Sequence, residues 1–127
     1  MGAPYSTDLL YDDLFCKLEE KHPNFHYHRV ISRELRPDGT SQGYIHHFLD
    51  REVRLHEDLL RRDRTLVYIC GLAGMQTGVF QTMAKLGVGG QYLKVKDEIA
   101  GTSPADWKGP DIKRYVRPTH RCMLEVY

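Results

Sequence analysis

The stretch 65-TLVYICGLAGM-75 decides the fold of this chain. Its first six residues are almost all apolar, aromatic or β-branched, a pattern typical of a strand buried on both faces of a parallel sheet. Gly71 and Gly74 interrupt the apolar run, and a helical pattern then continues to Leu86. A buried strand that turns through glycines directly into a helix indicates one βα unit of a parallel sheet.

Helical and extended patterns alternate on either side of this unit. Leu10, Leu14 and Leu18 repeat at helical spacing within residues 8–20, and Val53 and Leu55 are among the apolar positions of a second helix. The other predicted elements are a strand over residues 25–31, helices over residues 48–62, 91–100 and 105–117, and a last strand over residues 121–127. Such alternation predicts strands that run parallel with helices packed against them.

The fold class that follows is α/β, a partial doubly wound, Rossmann-like parallel sheet with helices on both faces. A length of 127 residues allows one domain with one core. The opening Gly2-Ala3-Pro4 looks like the loop that follows a strand, so we expect the first strand or strands of the sheet to be missing. Residues 1–127 are therefore expected to form one incomplete domain.

Composition and charge bound the possible partners. The formal net charge is +1, so the total charge favours neither a nucleic acid nor an anionic membrane as partner. No apolar run approaches the roughly 20 residues that span a bilayer. Cys16, Cys70 and Cys122 are far apart and do not indicate a disulfide framework, which favours a reducing compartment. We expect a cytoplasmic protein with no nucleic-acid or membrane partner.

Ligands of open parallel sheets bind beyond the carboxyl ends of the strands, where helix N-termini point their free N–H groups. This rule selects residues 2–7, the Ser32-Arg33 pair, residues 70–75 and Tyr127, which parallel strands would place along one edge. The guanidinium of Arg33 can pair bidentately with a phosphate, and Ser32 adds a hydroxyl. Together with Tyr44, which can stack on a base, they suit the 2′-phosphate and adenine of NADPH. A surface arginine in a turn stays an open alternative.

The other end of the predicted edge carries Cys70 and Tyr127. Gly71 allows a ligand to approach the backbone closely. Cys70 lies in apolar sequence, where a buried, inert cysteine is the usual outcome, and no base stands at a position that indicates a covalent nucleophile. Tyr127 can stack on a flat heteroaromatic ring, and Glu125 lies on the same strand face as a polar or proton-handling neighbour.

Seven histidines raise the question of a metal site. His26 and His28 share one face of a predicted strand, which makes a two-ligand site geometrically feasible. No cysteine or carboxylate stands at the spacing of a structural zinc site. We expect no metal.

Taken together, these motifs resemble the ferredoxin–NADP(+) reductase family over nearly the whole chain. The matching residues are Gly2-Ala3-Pro4 with Ser6, Leu9-Leu10-Tyr11, Ile31-Ser32-Arg33-Glu34, Tyr44, Val67-Tyr68-Ile69-Cys70-Gly71-Leu72 with Gly74-Met75, and Glu125-Val126-Tyr127. Each motif by itself is weak evidence for the family. The order and spacing of the motifs and the aromatic terminus together are specific to it. The resemblance implies a two-domain flavoenzyme that passes hydride between NADPH and FAD and single electrons to or from an iron–sulfur protein.

The resemblance also implies a role for each site residue. Ser32, Arg33 and Tyr44 would hold the 2′-phosphate and adenosine of NADPH. The other site residues would lie near the reacting rings: Gly71 and Leu72 along the nucleotide path, Cys70 beside the nicotinamide, Glu125 in support of that geometry, and Tyr127 over the flavin. Cys70, Glu125 and Tyr127 are thus the expected catalytic residues.

Two departures from the plant-type pattern bear on the cofactors. Gln42 stands two positions before Tyr44, where plant-type members carry a basic residue, and Arg36 from the same turn can compensate. The FAD domain and the glycine-rich pyrophosphate loop would precede Met1, so most contacts to FAD would be made by that absent domain.

Residues 88–118 and 114–127 resemble the reductase components of aerobic benzoyl-CoA epoxidases. This finer resemblance implies an oxygenase component as electron partner and a role in aromatic degradation. A stand-alone α/β nucleotide-binding or interaction module without catalysis is the alternative.

Overall fold

The computed structural model describes the backbone of residues 1–127 and all side chains except those of residues 53–55. The elements in chain order are β1 Gly2–Ala3, a 3-10 turn Ser6–Asp8, α1 Asp12–Lys21, β2 Val30–Ile31, α2 Ile45–Arg51, α3 Val53–Arg61, β3 Val67–Gly71, α4 Ala73–Lys85, α5 Gly89–Tyr92, β4 Leu93–Val95, α6 Asp97–Ala100, a 3-10 turn Pro104–Asp106, α7 Gly109–Tyr115, β5 Val116–Pro118 and β6 Cys122–Val126. Contacts divide the chain into two compact units, Met1–Phe48 and Leu49–Tyr127. The predicted apolar positions Val53 and Leu55 lie outside the described side chains.

The unit Met1–Phe48 is built on a short parallel pair. β1 and β2 run parallel with Gly2 opposite Val30 and Ala3 opposite Ile31. Both Val30 and Ile31 are buried. Gly2-Ala3, predicted to be a loop, is therefore a strand, and the prediction was wrong because two residues give no alternation that a sequence pattern can register.

The strand predicted over residues 25–31 is formed only at Val30–Ile31. The preceding residues bind α1 instead. The backbone N–H of Tyr27 donates to Glu19 Oε1 (2.8 Å), and the Tyr27 hydroxyl donates to Asp12 Oδ1 (2.9 Å). The ring of Phe15 lies 5.1 Å from that of Tyr27 and 6.3 Å from that of Phe25. Side chains of α1 thus take the place of a strand neighbour here.

Helix α1 begins four residues later than predicted. Tyr11 precedes it in the left-handed conformation (φ 59°), and Ser6–Asp8 forms a separate 3-10 turn. Leu10 and Leu14, predicted on the apolar face, are both more than half exposed. The helix ends at Lys21, as predicted from the proline that follows.

The unit Leu49–Tyr127 contains the second parallel pair. β3 and β6 align in register from Val67 opposite Cys122 to Gly71 opposite Val126. Helix α4 follows β3 directly, as the glycine-containing turn predicts. The α/β class with parallel strands and helices is confirmed.

The core of this unit lies between α4, α5, α7 and the strands. It contains Ile69, Val79, Phe80, Met83, Val88, Tyr92, Leu93, Ile99, Trp107, Ile112, Val116 and Cys122, all buried. Trp107 donates through Nε1 to Thr102 Oγ1 (3.0 Å), and its carbonyl accepts from Gln81 Nε2 (2.7 Å). Buried polar groups next to the core are thereby paired, as a dry interior requires.

The helices predicted over residues 91–100 and 105–117 are each interrupted by a strand. Leu93–Val95 and Val116–Pro118 pair antiparallel, with Leu93 opposite Pro118 and Val95 opposite Val116. Leu93 and Val116 are buried whereas Lys94 is exposed. Pairing across more than twenty residues overrides the weak local helical pattern.

Strand β3 was expected to be buried on both faces, and this prediction was wrong. Ile69 is 5% exposed, whereas Leu66 is 62% and Tyr68 is 59% exposed. Within the described part of the chain, β6 is the strand that pairs with β3, and α4 covers the face that carries Ile69. The opposite face is open.

Among the described residues, none of the helices has the length and apolar character of a membrane-spanning segment.

Candidate functional site

The turn after β2 places Ser32 and Arg33 at the carboxyl end of the first parallel pair. The backbone N–H of Ser32 donates to the carbonyl of Ala3 (3.0 Å), and that of Arg33 donates to the carbonyl of Pro4 (2.9 Å). These bonds continue the β1–β2 ladder beyond Ile31. Ser32 is half-buried and Arg33 is exposed at the end of the sheet where ligands of parallel strands bind.

The carboxylate that follows Arg33 is already engaged. Glu34 Oε1 accepts from the backbone N–H of Ser6 (2.5 Å) and from Ser6 Oγ (2.9 Å). These two donors tie the loop after β1 to the loop after β2. The carboxylate of Glu34, the residue after Arg33 in sequence, is therefore engaged by donors of the loop after β1.

The hydroxyl of Ser32 is only weakly held. Its Oγ donates to the carbonyl of Ala3 across 3.4 Å, which is long for a hydroxyl hydrogen bond. The carbonyl of Ser32 accepts a shorter bond of 2.8 Å from Ser41 Oγ. The backbone is thus fixed, while the hydroxyl can turn to an anionic oxygen at a cost of about 1 kcal/mol.

Gln42, which replaces the basic residue of the plant-type pattern, has a structural bond. Its Oε1 accepts from the backbone N–H of Ile31 (3.2 Å). This pairing satisfies the N–H of the last residue of β2. Gln42 therefore stabilises the strand that carries the Ser32-Arg33 turn.

Tyr44 stands at the start of α2 with an exposed ring. Its backbone N–H donates to Nδ1 of His47 (3.1 Å), three residues further along the chain. Gly43 directly before it has a φ of 76°, which favours glycine. The ring of Tyr44 is 61% exposed and lies 5.8 Å from that of His46 with an interplanar angle of 18°. A side chain of this kind can stack on a nucleotide base.

In the other unit, the ends of β3 and β6 bring the second group of predicted residues together. Cys70 lies directly opposite Glu125. The N–H of Tyr127 donates to the carbonyl of Gly71 (3.1 Å), and the carbonyl of Tyr127 accepts from the N–H of Ala73 (3.3 Å). The terminal tyrosine is thereby anchored by its backbone at the start of α4, with its ring 79% exposed.

Gly71 and Leu72 form the turn between β3 and α4. Gly71 has a φ of 142°, and a Cβ at this position would lie 2.9 Å from Cε of Met75. Leu72 is 68% exposed and precedes the first turn of the helix. The flexible end of Met75 occupies the space over Gly71, and the close approach of a ligand to this backbone stays a prediction.

Cys70 was expected to be buried, and it is exposed. The reason is the alternation of β3, whose inward positions are Val67, Ile69 and Gly71. Cys70 instead shares the open face with Tyr68. The hydroxyl of Tyr68 donates to Glu125 Oε2 across 2.6 Å. This hydrogen bond, followed by the charge of Glu125, raises the pKa of Tyr68.

The described residues contain no cluster of three or more histidine, cysteine or carboxylate side chains that could hold a metal ion. His26 and His28, considered as a two-ligand site, fall in the segment before β2 that is not a strand.

A profile of the family described as "Oxidoreductase NAD-binding domain" matches residues 1–81. The chain belongs to this family. The match includes the Ser32-Arg33 turn and the β3–α4 turn with Cys70, whereas Glu125 and Tyr127 lie beyond the matched residues.

The relatives of this NAD-binding domain carry a consistent description. All of the chain aligns at 34% identity with 31% of leaf isozyme 1 of the chloroplastic ferredoxin–NADP reductase of Arabidopsis thaliana. The leaf-type isozyme of Nicotiana tabacum is 36% identical over 68% of this chain and 24% of its own length. The ferredoxin–NADP reductase of Spirulina sp is 29% identical over 99% of this chain and 38% of its own length. The expected ferredoxin–NADP reductase resemblance is confirmed for the NAD-binding domain, and the chain spans about a third of such relatives.

Sequence reasoning named Tyr68 within the family motif but did not assign it to the candidate site. The available signal was its spacing of two residues from Cys70, which places both on one strand face. The spacing does not identify Glu125 as the hydrogen-bond partner of Tyr68, because that contact depends on the register between β3 and β6.

Proposed function

We propose that residues 1–127 are the NADP(H)-binding part of an FAD-dependent oxidoreductase of the ferredoxin–NADP(+) reductase type. The enzyme would move electrons between NADPH and an iron–sulfur protein or oxygenase component. The observation that carries this proposal is the parallel pair β3–β6, which sets Cys70 opposite Glu125 and anchors Tyr127 beside Gly71. The family match and the names of the relatives support the same activity.

Three residues fit the adenosine half of NADPH. Arg33 is exposed at the end of β2 and supplies the planar fork that matches a phosphate. Ser32 lies next to it with a loosely held hydroxyl. Tyr44 offers an exposed ring for the adenine. In this proposal Arg33 and Ser32 bind the 2′-phosphate, which is the group that separates NADPH from NADH.

The residues at the β3–β6 end fit the reacting end of the nucleotide. The exposed ring of Tyr127 would cover a flat cofactor ring and exclude water from it. Cys70 and Glu125 would orient the nicotinamide from the strand ends, while Gly71 and Leu72 line its path. FAD, when bound, supplies the exchange between two-electron and one-electron chemistry.

We also propose that this NAD-binding domain is completed by other segments of a longer polypeptide. The relatives are about three times as long as the aligned region. Leu66, just before β3, and Tyr68 within it are both more than half exposed, and β3 has a second edge free of strand pairing within the described residues. Open edges of this kind are normally paired or covered in stable proteins. Most contacts to FAD would come from those further segments.

Two finer parts of the proposal rest on sequence alone. An oxygenase partner in aerobic benzoyl-CoA degradation rests on the resemblance of residues 88–118 and 114–127 to epoxidase reductase components. A cytoplasmic location rests on the three widely separated cysteines, which do not indicate a disulfide framework.

The nucleotide assignment is tested by the change Arg33→Ala. Removal of a charge-assisted phosphate bond costs about 1.5–3 kcal/mol, which corresponds to a loss of about 10- to 150-fold in affinity. Calorimetric titration of the chain should show this loss for 2′,5′-ADP and a change of less than about twofold for 5′-AMP, which lacks the 2′-phosphate.

Arg64→Ala is the matched control, because Arg64 is also an exposed arginine in a loop. It should bind both nucleotides as the wild type does. An equal loss for both nucleotides in Arg33→Ala contradicts the assigned role. A folded wild-type chain that binds neither nucleotide favours the stand-alone interaction module.

A further inference from the structure

The open face of β3 and β6 carries a polar contact that the proposed roles leave unused. Tyr68 on β3 donates its hydroxyl to Glu125 Oε2 on β6 at 2.6 Å. Both side chains are exposed. A hydrogen bond to a carboxylate at this length is of the stronger, charge-assisted kind.

The register of the two strands explains why these side chains meet. Tyr68 lies directly opposite Met123, and Glu125 lies two residues further along β6, on the same face and opposite Cys70. The Tyr68 hydroxyl therefore reaches diagonally towards the carboxyl end of the pair. Diagonal neighbours of this kind are within reach of aromatic and other long side chains.

The contact restricts a side chain that would otherwise be mobile. An exposed glutamate samples many rotamers, and fixing it in one of them costs conformational entropy. The bond from Tyr68 offsets part of that cost and selects one orientation of the carboxylate. In the register of the pair, Cys70 is the residue of β3 directly opposite Glu125.

We infer that Tyr68 is a positioning residue for this site: it holds the carboxylate of Glu125 beside Cys70 at the strand ends where the nicotinamide of NADPH would lie. The inference rests on the proposed function. Tyr68 itself touches neither the nucleotide nor the flavin in this scheme. Its effect passes through Glu125, whose misplacement by a fraction of an ångström lowers the rate of a reaction that depends on alignment.

A role in stability alone makes a different prediction. In that role Tyr68 would only hold β3 and β6 together, but the face is exposed and the strands already share a five-residue parallel ladder. Loss of a purely stabilising contact would lower the free energy of unfolding and leave the rate of hydride transfer in the folded protein unchanged. A positioning residue changes the rate.

The first test concerns the bond itself and needs no flavin. The pKa of Tyr68 is raised by its hydrogen bond to Glu125. NMR titration of chains with ¹³C-labelled tyrosine rings should therefore show Tyr68 titrating at lower pH in Glu125→Gln than in the wild type. Identical titration of Tyr68 in the two chains overturns the inference.

The second test uses the flavoprotein that would contain this domain. A hydride, carrying two electrons and one proton, passes from NADPH to the flavin and leaves NADP⁺, and stopped-flow absorbance of the flavin reports its rate. Tyr68→Phe should slow this step about 3- to 30-fold and change the Kd of NADPH less than about twofold. Tyr11→Phe, which also loses only an exposed hydroxyl, should leave both unchanged.

Two further outcomes separate the inference from the proposed function. In a Glu125→Ala background, Tyr68→Phe should have no additional effect, because its target is gone. A normal wild-type rate that Tyr68→Phe leaves unchanged overturns the positioning role alone. A wild-type flavoprotein that takes no hydride from NADPH overturns the proposed function and the inference with it.

Discussion

Replacement of Gly43 by alanine tests how the start of α2 positions the exposed ring of Tyr44. Gly43 has a φ of 76°, and a Cβ built there would lie 2.6 Å from Nδ1 of His47. That nitrogen accepts the backbone N–H of Tyr44 (3.1 Å). The methyl group would therefore force the imidazole away and break this hydrogen bond.

The magnitude follows from two separate terms. An alanine in the left-handed region costs about 1–2 kcal/mol, of which about 0.4–1 kcal/mol is offset by the lower entropy of the unfolded chain. Gly39 provides the matched control, since its φ is 79° and nothing lies within 4 Å of its Cβ position. Gly39→Ala should thus cost about 0.5–1.5 kcal/mol. Gly43→Ala loses the Tyr44–His47 bond as well and should cost about 1 kcal/mol more.

Urea unfolding of both variants, followed by amide resonances of residues 1–48, measures the difference in the free energy of unfolding. The double variant with His47→Ala isolates the contact: without the imidazole, Gly43→Ala should cost only what Gly39→Ala costs. Equal losses in the two single variants, or an unchanged cost in the double variant, would refute the reasoning. Weaker binding of 5′-AMP to Gly43→Ala alone would connect the helix start to adenine stacking by Tyr44.

Two further predictions concern stability. Arg121 donates to the carbonyl of Thr65 (3.1 Å) and to Gln91 Oε1 (2.9 Å) and lies over the buried ring of Tyr92. Because lysine lacks the planar guanidinium, Arg121→Lys should lower the free energy of unfolding in urea by about 1–3 kcal/mol. A decrease below about 0.5 kcal/mol contradicts a stabilising role for these contacts. Burial and the bond to Asp12 raise the pKa of Tyr27 from 10 to about 12. Between these pH values the folded state therefore keeps a proton that the unfolded state releases. The stability advantage of the wild type over Tyr27→Phe should be full below pH 10 and vanish as the pH rises to about 12. If urea unfolding shows the same difference in free energy between the two proteins across this range, the raised pKa of Tyr27 is contradicted.

The parts of the fold that could be predicted are those with a strong local signal. Residues 65–75 predicted the βα unit because a continuous apolar run followed by glycines is compatible with few other structures. β4 and β5 were missed because each is three residues long and pairs only with a segment more than twenty residues away. Short strands are stabilised by their partners, and a window of local sequence contains no information about a distant partner.

The exposure of β3 shows a second limit. An apolar run predicts burial on both faces only when the sheet is covered on both faces, and the described chain covers one. Leu66 and Tyr68 are therefore apolar residues in an open position, and the error about Cys70 has the same origin. The sequence pattern describes the environment of the strand in the protein to which it is adapted, which supports the proposal that further segments cover this face.

The residues of the candidate site also differ in how far the sequence alone can identify them. Ser32 and Arg33 could be selected from their position after a strand, because the rule for ligand sites in parallel sheets needs only the strand end. The contact between Tyr68 and Glu125 needs the register as well, since a shift of one residue would move Glu125 to the covered face. The pairing of Val67 with Cys122 fixes that register. Residues at strand ends are therefore accessible to sequence reasoning, whereas a residue that acts through a neighbouring strand, as we infer for Tyr68, becomes visible only when the strands are aligned.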